Sequence, residues 1–159
     1  MKRLDILENQ VNKAYLALGS NLGNKIKNLI HAKFLLNSMG INIIKTSSFY
    51  LSKSWPNKNF PDYLNVVLLV QTNFKIDELF KKVKYIEKIM GRKATPKNYP
   101  RICDIDIIDF NNTCINLKFL NENITVPHAS MHKRNFVLLP LYEINKKWHH
   151  PKYKKNIVK

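Results

Sequence analysis

The sequence Arg101-Ile-Cys-Asp-Ile-Asp-Ile-Ile108 places two carboxylates two residues apart in an apolar run. Residues two apart in a β-strand project from the same face, so Asp104 and Asp106 are expected side by side, about 7 Å apart along the backbone. Neighbouring carboxylates repel each other, and a hard cation such as Mg²⁺ removes that repulsion. The intervening isoleucines would then point into a core. Two solvated acids on an exposed sheet face would produce the same local pattern.

Arginine is scarce in this chain, and its positions are informative. The net charge is +16, yet only four of the 27 basic residues are arginines. Most of the lysines are explained by a solvated surface. An arginine in such a chain indicates a place that needs a planar, bidentate, permanently charged group. Arg92, Arg101 and Arg134 all lie beside polar motifs in the C-terminal half. Carboxylates that hold a metal ion and arginines that bind phosphate oxygens form the arrangement that phosphoryl transfer requires.

Further candidates follow in the segment Pro127-His128 to Arg134-Asn135-Phe136. His128 and Arg134 could both reach a polyphosphate, and Phe136 could stack on a flat ring. A loop histidine, a helix-capping arginine and a core phenylalanine are the structural alternatives.

Two other motifs contain polar groups beside a turn. Glu87 could accept hydrogen bonds from a ribose, and Arg92 begins a polar loop from which it could swing onto phosphate. Tyr63 is a candidate stacking surface, and Asn65 could read ring edges because an amide both donates and accepts hydrogen bonds. A solvated helix end and a strand-entry turn would explain these residues without a ligand.

The order of predicted elements is β-α-β-β-α-β with additions. Residues 76–90 carry the clearest helical period, and residues 24–39 form a second helix with Ile26, Leu29, Ile30 and Phe34 as its apolar face. Strands are predicted at 14–18, 41–50, 63–72, 102–110, 114–117 and 124–126, a helix at 134–144, and a basic tail from Trp148 with His149 and His150 on the surface. This pattern predicts an α+β fold with a ferredoxin-like, split βαβ core.

Length and composition indicate one domain over residues 1–159, with residues 1–13 a possible N-terminal extension. There is no apolar run of about 18 residues and no signal peptide, so a cytoplasmic protein without a membrane span is expected. Two cysteines in such a protein predict buried thiols without a disulfide. The glycine spacing in Gly19-Ser-Asn-Leu-Gly23 differs from that of a phosphate loop, and His128 and His132 lack a third zinc ligand.

Seven sequence blocks in order resemble the 6-hydroxymethyl-7,8-dihydropterin pyrophosphokinase family: LGSNLGN, SSFY, FPDYLN, IEKIMGR, PRICDIDII, VPHASMHKRNFVLLPLYEI and WHHP. The resemblance runs from about Ala14 to Pro151. It implies transfer of pyrophosphate from ATP to the hydroxymethyl group of the pterin, with AMP as the second product. It also implies a monomer that uses two Mg²⁺ ions.

The resemblance assigns roles to the same candidate residues. The metal ligands are Asp104 and Asp106, and the catalytic residues are these two together with Arg92 and Arg101. The nucleotide-binding residues are Glu87, Arg92, Arg101, Thr125, His128 and Arg134. The pterin-binding residues are Tyr63, Asn65, Asp104 and Phe136.

A basic nucleic-acid-binding module on a ferredoxin-like sheet is the alternative from another functional class. The charge of +16 and the aromatic residues Tyr63, Tyr99 and Phe136 favour it. The absence of an aromatic RNA-binding signature and the two acids on the sheet count against it, so no nucleic-acid partner is expected.

Overall fold

The computed structural model describes residues 10–91 and 96–157, and within them the strands form a main sheet and a separate hairpin. The strands are β1 (Asn12–Ser20), β2 (Asn42–Thr46), β3 (Tyr50–Ser52), β4 (Tyr63–Thr72), β5 (Asp104–Phe110), β6 (Ile115–Phe119) and β7 (Glu122–Val126). The helices are α1 (Lys25–Ser38), α2 (Ile76–Ile89) and α3 (Asn135–Ile144), with a 3-10 turn at Met131–Lys133.

The main sheet has the strand order β2-β4-β1-β5, and β3 pairs with β4 beside β2. Every pair in it is antiparallel. β1 lies between β4 and β5, the two strands of this sheet that are most distant from it in sequence. The predicted ferredoxin-like arrangement is therefore confirmed. The hairpin β6-β7 forms a separate two-stranded sheet.

The two faces of the sheet carry different helices. Leu16 and Leu18 of β1 pack in the larger buried cluster, which contains the inner faces of α1 and α2. Tyr15 points to the opposite face, where Val67 and Ile108 pack with α3. Because side chains alternate along a strand, this division determines which functional groups share a face. Asp104 and Asp106 lie on the α3 side.

Helix α2 buries the predicted stripe, including Ile76, Leu79, Val83 and Ile86. It ends at Ile89, one residue before the predicted end, and Gly91 follows with a φ of 95° that glycine adopts without steric cost.

The predicted apolar face of α1 is wrong. Ile26, Ile30 and Phe34 are 52%, 57% and 67% exposed. Leu29 was predicted correctly, and the helix buries Ala32 and Leu36 together with it. Apolar residues occur on two sides of this helix, so periodicity alone could not identify the side that meets the sheet. The small side chain of Ala32 permits close approach between α1 and the sheet.

The predicted strand over residues 41–50 is divided into β2 and β3. The break occurs at Ser47, whose backbone N–H donates to the Val67 carbonyl while its hydroxyl accepts the Val67 N–H at 2.9 Å. The serine side chain thus takes the place of a backbone carbonyl in the ladder. β5 also begins at Asp104 and not at Ile102.

Both ends of the domain differ from expectation. Asn12 and Lys13 belong to β1, so they are not part of an extension, and residues 1–9 lie outside the described part of the chain. Trp148 is only 5% exposed, and its indole N–H donates to Asp109 Oδ2 at 3.1 Å. His150 was predicted at the surface but is 7% exposed, in ring contact with Trp148. The segment therefore folds back onto the sheet.

Both cysteines are free thiols, as predicted, although Cys114 is exposed and only Cys103 is buried. None of the helices in the described ranges is long and apolar enough to span a membrane.

Candidate active site

Asp104 and Asp106 open β5 and project from the same face of the sheet. Their side chains are 27% and 30% exposed, whereas Ile105 and Ile107 between and after them are buried in the core beneath α1 and α2. The alternation of polar and apolar residues explains this placement, because only one face of the strand can enter the core. The two carboxylates thus stand together at an open part of the sheet.

Arg101 pairs with the first of these carboxylates. Its Nη1 lies 3.2 Å from Asp104 Oδ1, and its side chain is 18% exposed. Asn21, just after β1, holds the backbone of this arginine: the Arg101 N–H donates to Asn21 Oδ1 at 2.8 Å, and the Asn21 N–H donates to the Arg101 carbonyl at 3.1 Å. Sequence reasoning treated Asn21 only as a turn residue.

The side chain of Asn21 also reaches the segment between β3 and β4. Its Nδ2 donates to Ser54 Oγ at 3.1 Å and to the Pro61 carbonyl at 3.3 Å. Asn21 is 1% exposed, so these bonds are made in the interior. One buried amide therefore joins the segment before β4 to the arginine beside the carboxylates.

His128 and Arg134 approach the second carboxylate from the other side. His128 Nε2 lies 3.9 Å and Arg134 Nη1 3.8 Å from Asp106 Oδ2. The His128 backbone N–H donates to the Ile108 carbonyl at 2.9 Å, which places the histidine beside β5. The Ser130 N–H donates to His128 Nδ1 at 3.2 Å, and this bond assigns the ring proton of the neutral histidine to Nε2, facing the cluster.

The electrostatics of the cluster depend on burial and on the paired acids. Burial raises the pKa of Asp106, and the neighbouring Asp104 raises it further, while His128, Arg134 and Lys84 oppose the rise. Burial lowers the pKa of His128 despite the nearby Asp106. Two acids facing fixed cations at this spacing form a site suited to a ligand that carries both metal ions and phosphate groups.

A cleft of about 200 Å³ adjoins Asp106, between α2, β5 and β7. Thr125 and His128 line it, as does Lys84, which sequence reasoning did not select. Lys84 was not predicted because it lies on a lysine-rich helix, where nothing in the local sequence distinguishes it from the other lysines.

Glu87 is not among the residues that line this cleft. It is 1% exposed, and its Oε1 is 3.4 Å from Lys84 Nζ. The structure therefore places Glu87 behind Lys84, and its contact with a ribose stays a prediction. Arg92 lies outside the described residues, so its position and role also stay predictions.

The candidate pterin residues lie around three residues that are paired across neighbouring strands of the main sheet. Asn65 on β4, Gly19 on β1 and Asp104 on β5 are direct cross-strand neighbours. A Cβ added at Gly19 would lie 3.2 Å from Asn65 Oδ1 and 3.3 Å from Tyr63 Cδ1. Gly19 therefore leaves an open floor between the amide and the carboxylate, a role that its sequence context did not reveal.

Asn65 is oriented by β3. Its Nδ2 donates to the Tyr50 carbonyl at 3.0 Å and to Ser52 Oγ at 2.9 Å, and the side chain is 5% exposed. Phe136, at the start of α3, packs partly buried on the same face of the sheet, with the Arg134 guanidinium 5.7 Å from its ring centre. Aromatic, amide and carboxylate groups thus occur on one face.

The chain is similar to known proteins of one family. The sequence model of a family described as 7,8-dihydro-6-hydroxymethylpterin-pyrophosphokinase (HPPK) matches residues 15–146. The chain is 40% identical to the 2-amino-4-hydroxy-6-hydroxymethyldihydropteridine pyrophosphokinase of Aquifex aeolicus, with 89% of this chain and 85% of the relative covered. It is 37% identical to the Haemophilus influenzae enzyme of the same name, with 82% and 80% covered.

Longer proteins match as well. The folic acid synthesis protein of Pneumocystis carinii is 37% identical over 86% of this chain, which spans only 18% of that protein. The wild-type HPPK-DHPS crystal structure from Plasmodium falciparum superposes with a TM-score of 0.74 at 17% identity, over 96% of this chain and 41% of that chain. At this identity the structural match supports the fold alone.

Proposed function

The chain belongs to the 7,8-dihydro-6-hydroxymethylpterin-pyrophosphokinase family, and from this premise we propose that it transfers pyrophosphate from ATP to 6-hydroxymethyl-7,8-dihydropterin in folate synthesis. The observation that carries the proposal is the pair Asp104 and Asp106 on one sheet face, with cationic side chains on either side.

The donor set of this pair fits Mg²⁺. Two carboxylates supply hard oxygen ligands, and in the described ranges no third histidine, cysteine or acid joins them into a closed metal cage. Mg²⁺ prefers such partial ligation and completes its octahedron with phosphate oxygens and water. Asp104 and Asp106 would hold two ions. Bound there, magnesium would neutralise the phosphate oxygens of ATP and stabilise the charge that develops during transfer.

The remaining side chains bind and orient the two substrates. Arg101 lies on the Asp104 side of the pair and Arg134 on the Asp106 side, so phosphate oxygens between them would meet a positive group at each end. His128 would donate its Nε2 proton to a phosphate oxygen, and Thr125 and Lys84 would contact the nucleotide in the adjacent cleft. Arg92 and Glu87 complete the proposed nucleotide set.

The pterin would occupy the floor above Gly19. Asn65 would read the ring edge, with Tyr63 and Phe136 as stacking surfaces, and Asp104 would meet the hydroxymethyl group. The hydroxyl oxygen would form a bond to the β-phosphorus as the bond to the α-phosphate oxygen breaks. AMP would leave with that oxygen, and the hydroxyl proton would pass to solvent. Positioning and electrostatics thus supply the rate, as phosphoryl transfer requires.

Release of AMP from ATP, in the presence of magnesium and the hydroxymethyl dihydropterin, tests this function. The wild type should release AMP only when the pterin is present. Asp106→Ala should reduce the rate by at least about a thousandfold, because it removes a metal ligand. Glu78→Gln, a charge change on the exposed surface of α2, is the matched control and should retain wild-type activity. A wild type without pterin-dependent AMP release, or an Asp106→Ala variant as active as the control, would disprove the assignment.

The alternative of a nucleic-acid-binding module is based on the net charge and on three aromatic residues, and the comparisons do not support it.

The proposal includes a cytoplasmic monomer. Two free thiols, one of them exposed, suit a reducing compartment. Light scattering coupled to gel filtration would test the monomer directly.

A further inference from the structure

A second cavity lies on the same sheet face as the candidate active site but at the other end of β1. Its volume is about 640 Å³, within the range of small-molecule sites. Tyr15 lines it and Gly19 lies in the candidate pterin floor, so the two sites are separated by four residues of β1, roughly 13 Å. Tyr15 also belongs to the buried cluster that holds α3, whose members Ile108 and Leu141 exclude water beneath the helix. The cavity is therefore distinct from the active site.

The opening of this cavity is strongly cationic. Lys13 from β1, Lys45 from β2 and Lys147 from the segment after α3 all line it, although they are far apart in sequence. Asp109 is the only carboxylate in the lining, and it lies at the floor with 2% exposure. Lys45 Nζ donates to the Ile144 carbonyl at 3.4 Å. Like charges that line one cavity repel each other, and an anion between them would relieve that repulsion.

The floor beneath the lysines is built from buried side chains. Asp109 Oδ2 accepts the Trp148 indole N–H at 3.1 Å, so one oxygen of this carboxylate is paired within the protein, and Oδ1 is buried without a hydrogen-bond partner among the described residues. The Tyr15 hydroxyl accepts from Asn145 Nδ2 at 2.9 Å, and Tyr15 and Trp148 are 8% and 5% exposed. These contacts preform the cavity before any ligand enters, which reduces the ordering cost of binding.

We propose that this cavity binds a compact, multiply charged phosphate anion. Lysine ammonium groups bind phosphate as point charges, which suits a cavity lined by three lysines. The lining has no pair of exposed carboxylates comparable to Asp104 and Asp106, so the site binds its ligand without magnesium and without transferring a group. This inference does not depend on the proposed function.

The chain has two tryptophans, and Trp148 is the one that lines this cavity. Trp148 lies in the cavity, whereas Trp55 is 75% exposed in the segment between β3 and β4. Inorganic pyrophosphate should be titrated into the full chain in EDTA, with the indole N–H signals followed by proton–nitrogen NMR. The Trp148 signal should shift saturably, and the Trp55 signal should stay in place. Sodium chloride at matched ionic strength should leave both signals unchanged.

Variants then test the lysines. Lys45→Gln with Lys147→Gln should weaken the apparent affinity at least about tenfold. Lys27→Gln with Lys81→Gln, which removes two exposed lysines elsewhere, should leave it unchanged. Lys13→Gln provides a second test if the first double variant fails to give a folded spectrum.

Three results would overturn the proposal: a Trp148 signal that does not move, an equal shift in the Lys45 and Lys147 double variant, or an equal shift with sodium chloride. Citrate provides the carboxylate comparison. Binding of citrate as tight as that of pyrophosphate would refute the preference for phosphate.

Discussion

Replacing Asp106 with asparagine should stabilise the metal-free protein while it abolishes pyrophosphoryl transfer. Asparagine keeps the shape of the side chain and removes the charge. The ionised carboxylate is disfavoured in the fold, because it is partly buried and lies beside Asp104. A residue kept at a cost in stability is expected where function requires it.

The expected gain in stability of Asp106→Asn can be worked out from the charges that surround Asp106. Two charges about 7 Å apart repel by roughly 0.6–2.4 kcal/mol for effective dielectric constants between 80 and 20. Arg134 opposes this repulsion, but its Nη1 is 3.8 Å from Asp106 Oδ2 and its side chain is 36% exposed, so the pair is worth about 1 kcal/mol at most. His128 adds little, because burial lowers its pKa. We expect a net gain of about 1 kcal/mol.

Asp104→Asn is the informative comparison. It removes the same repulsion, but it also removes the partner 3.2 Å from Arg101 Nη1, and the Arg101 side chain is only 18% exposed. A guanidinium left largely buried without its carboxylate costs about 1–3 kcal/mol or more. This variant should therefore lose stability, although both substitutions neutralise one acid of the same pair.

Urea unfolding in EDTA at neutral pH and low salt measures both effects, and AMP release measures activity. Both variants should be inactive, and their unfolding free energies should move in opposite directions. The reasoning is refuted if Asp106→Asn is less stable than the wild type, or if Asp104→Asn is stabilised equally.

Three further changes test other parts of the structure. Gly19→Ala should weaken pterin binding about tenfold or more, because the added Cβ crowds Asn65, and should leave ATP binding unchanged. Calorimetric titration with each substrate would check this, and equal losses for both would contradict it. Burial raises the pKa of Asp109, so the folded state holds that proton more tightly than the unfolded chain and the wild type loses stability as the pH rises above 3.8. Asp109→Asn lacks this contribution, so its free energy of unfolding in urea should rise relative to that of the wild type as the pH increases. Parallel pH profiles of the two unfolding free energies would argue against this prediction. Glu143 accepts from the Ser48 hydroxyl at 2.6 Å, which lowers the pKa of Glu143, so its contribution is present above pH 4.5 and lost as the pH falls. Glu143→Gln should lower the free energy of unfolding by roughly 1 kcal/mol at neutral pH and by less in acid. Urea unfolding would measure this loss, and hydrogen exchange of the Ser48 backbone amide would show whether its hydrogen bond is weakened.

Patterns confined to one element were predicted well. The alternation in β5 identified the face that carries Asp104 and Asp106, since only the isoleucines between them can enter the core. The period of α2 identified its buried stripe for the same reason. In both elements one face is apolar and the other polar, so the local pattern is enough to identify the buried face.

Elements with apolar residues on more than one side were predicted poorly. The prediction selected the face of α1 that contains Phe34 and missed the one that contains Ala32. Helical spacing of apolar residues takes no account of side-chain size, and a small residue was needed at the contact with the sheet. His150 was expected at the surface, yet its ring packs against Trp148. Burial in these cases depends on which other element lies opposite, and the local sequence carries no record of that element.

The sequence by itself determined the family, the order of elements and the residue types at the site, since these follow from ordered motifs and from the chemistry of acids and arginines. Only the tertiary structure decided that Asn21 holds Arg101, that Gly19 forms the floor between Asn65 and Asp104, and that Lys84 lines the nucleotide cleft. The physical reason is that these relationships join residues on separate strands, helices and loops, mostly across 40 to 85 positions of the chain. The packing of the sheet brings them together, and no spacing along the chain records it.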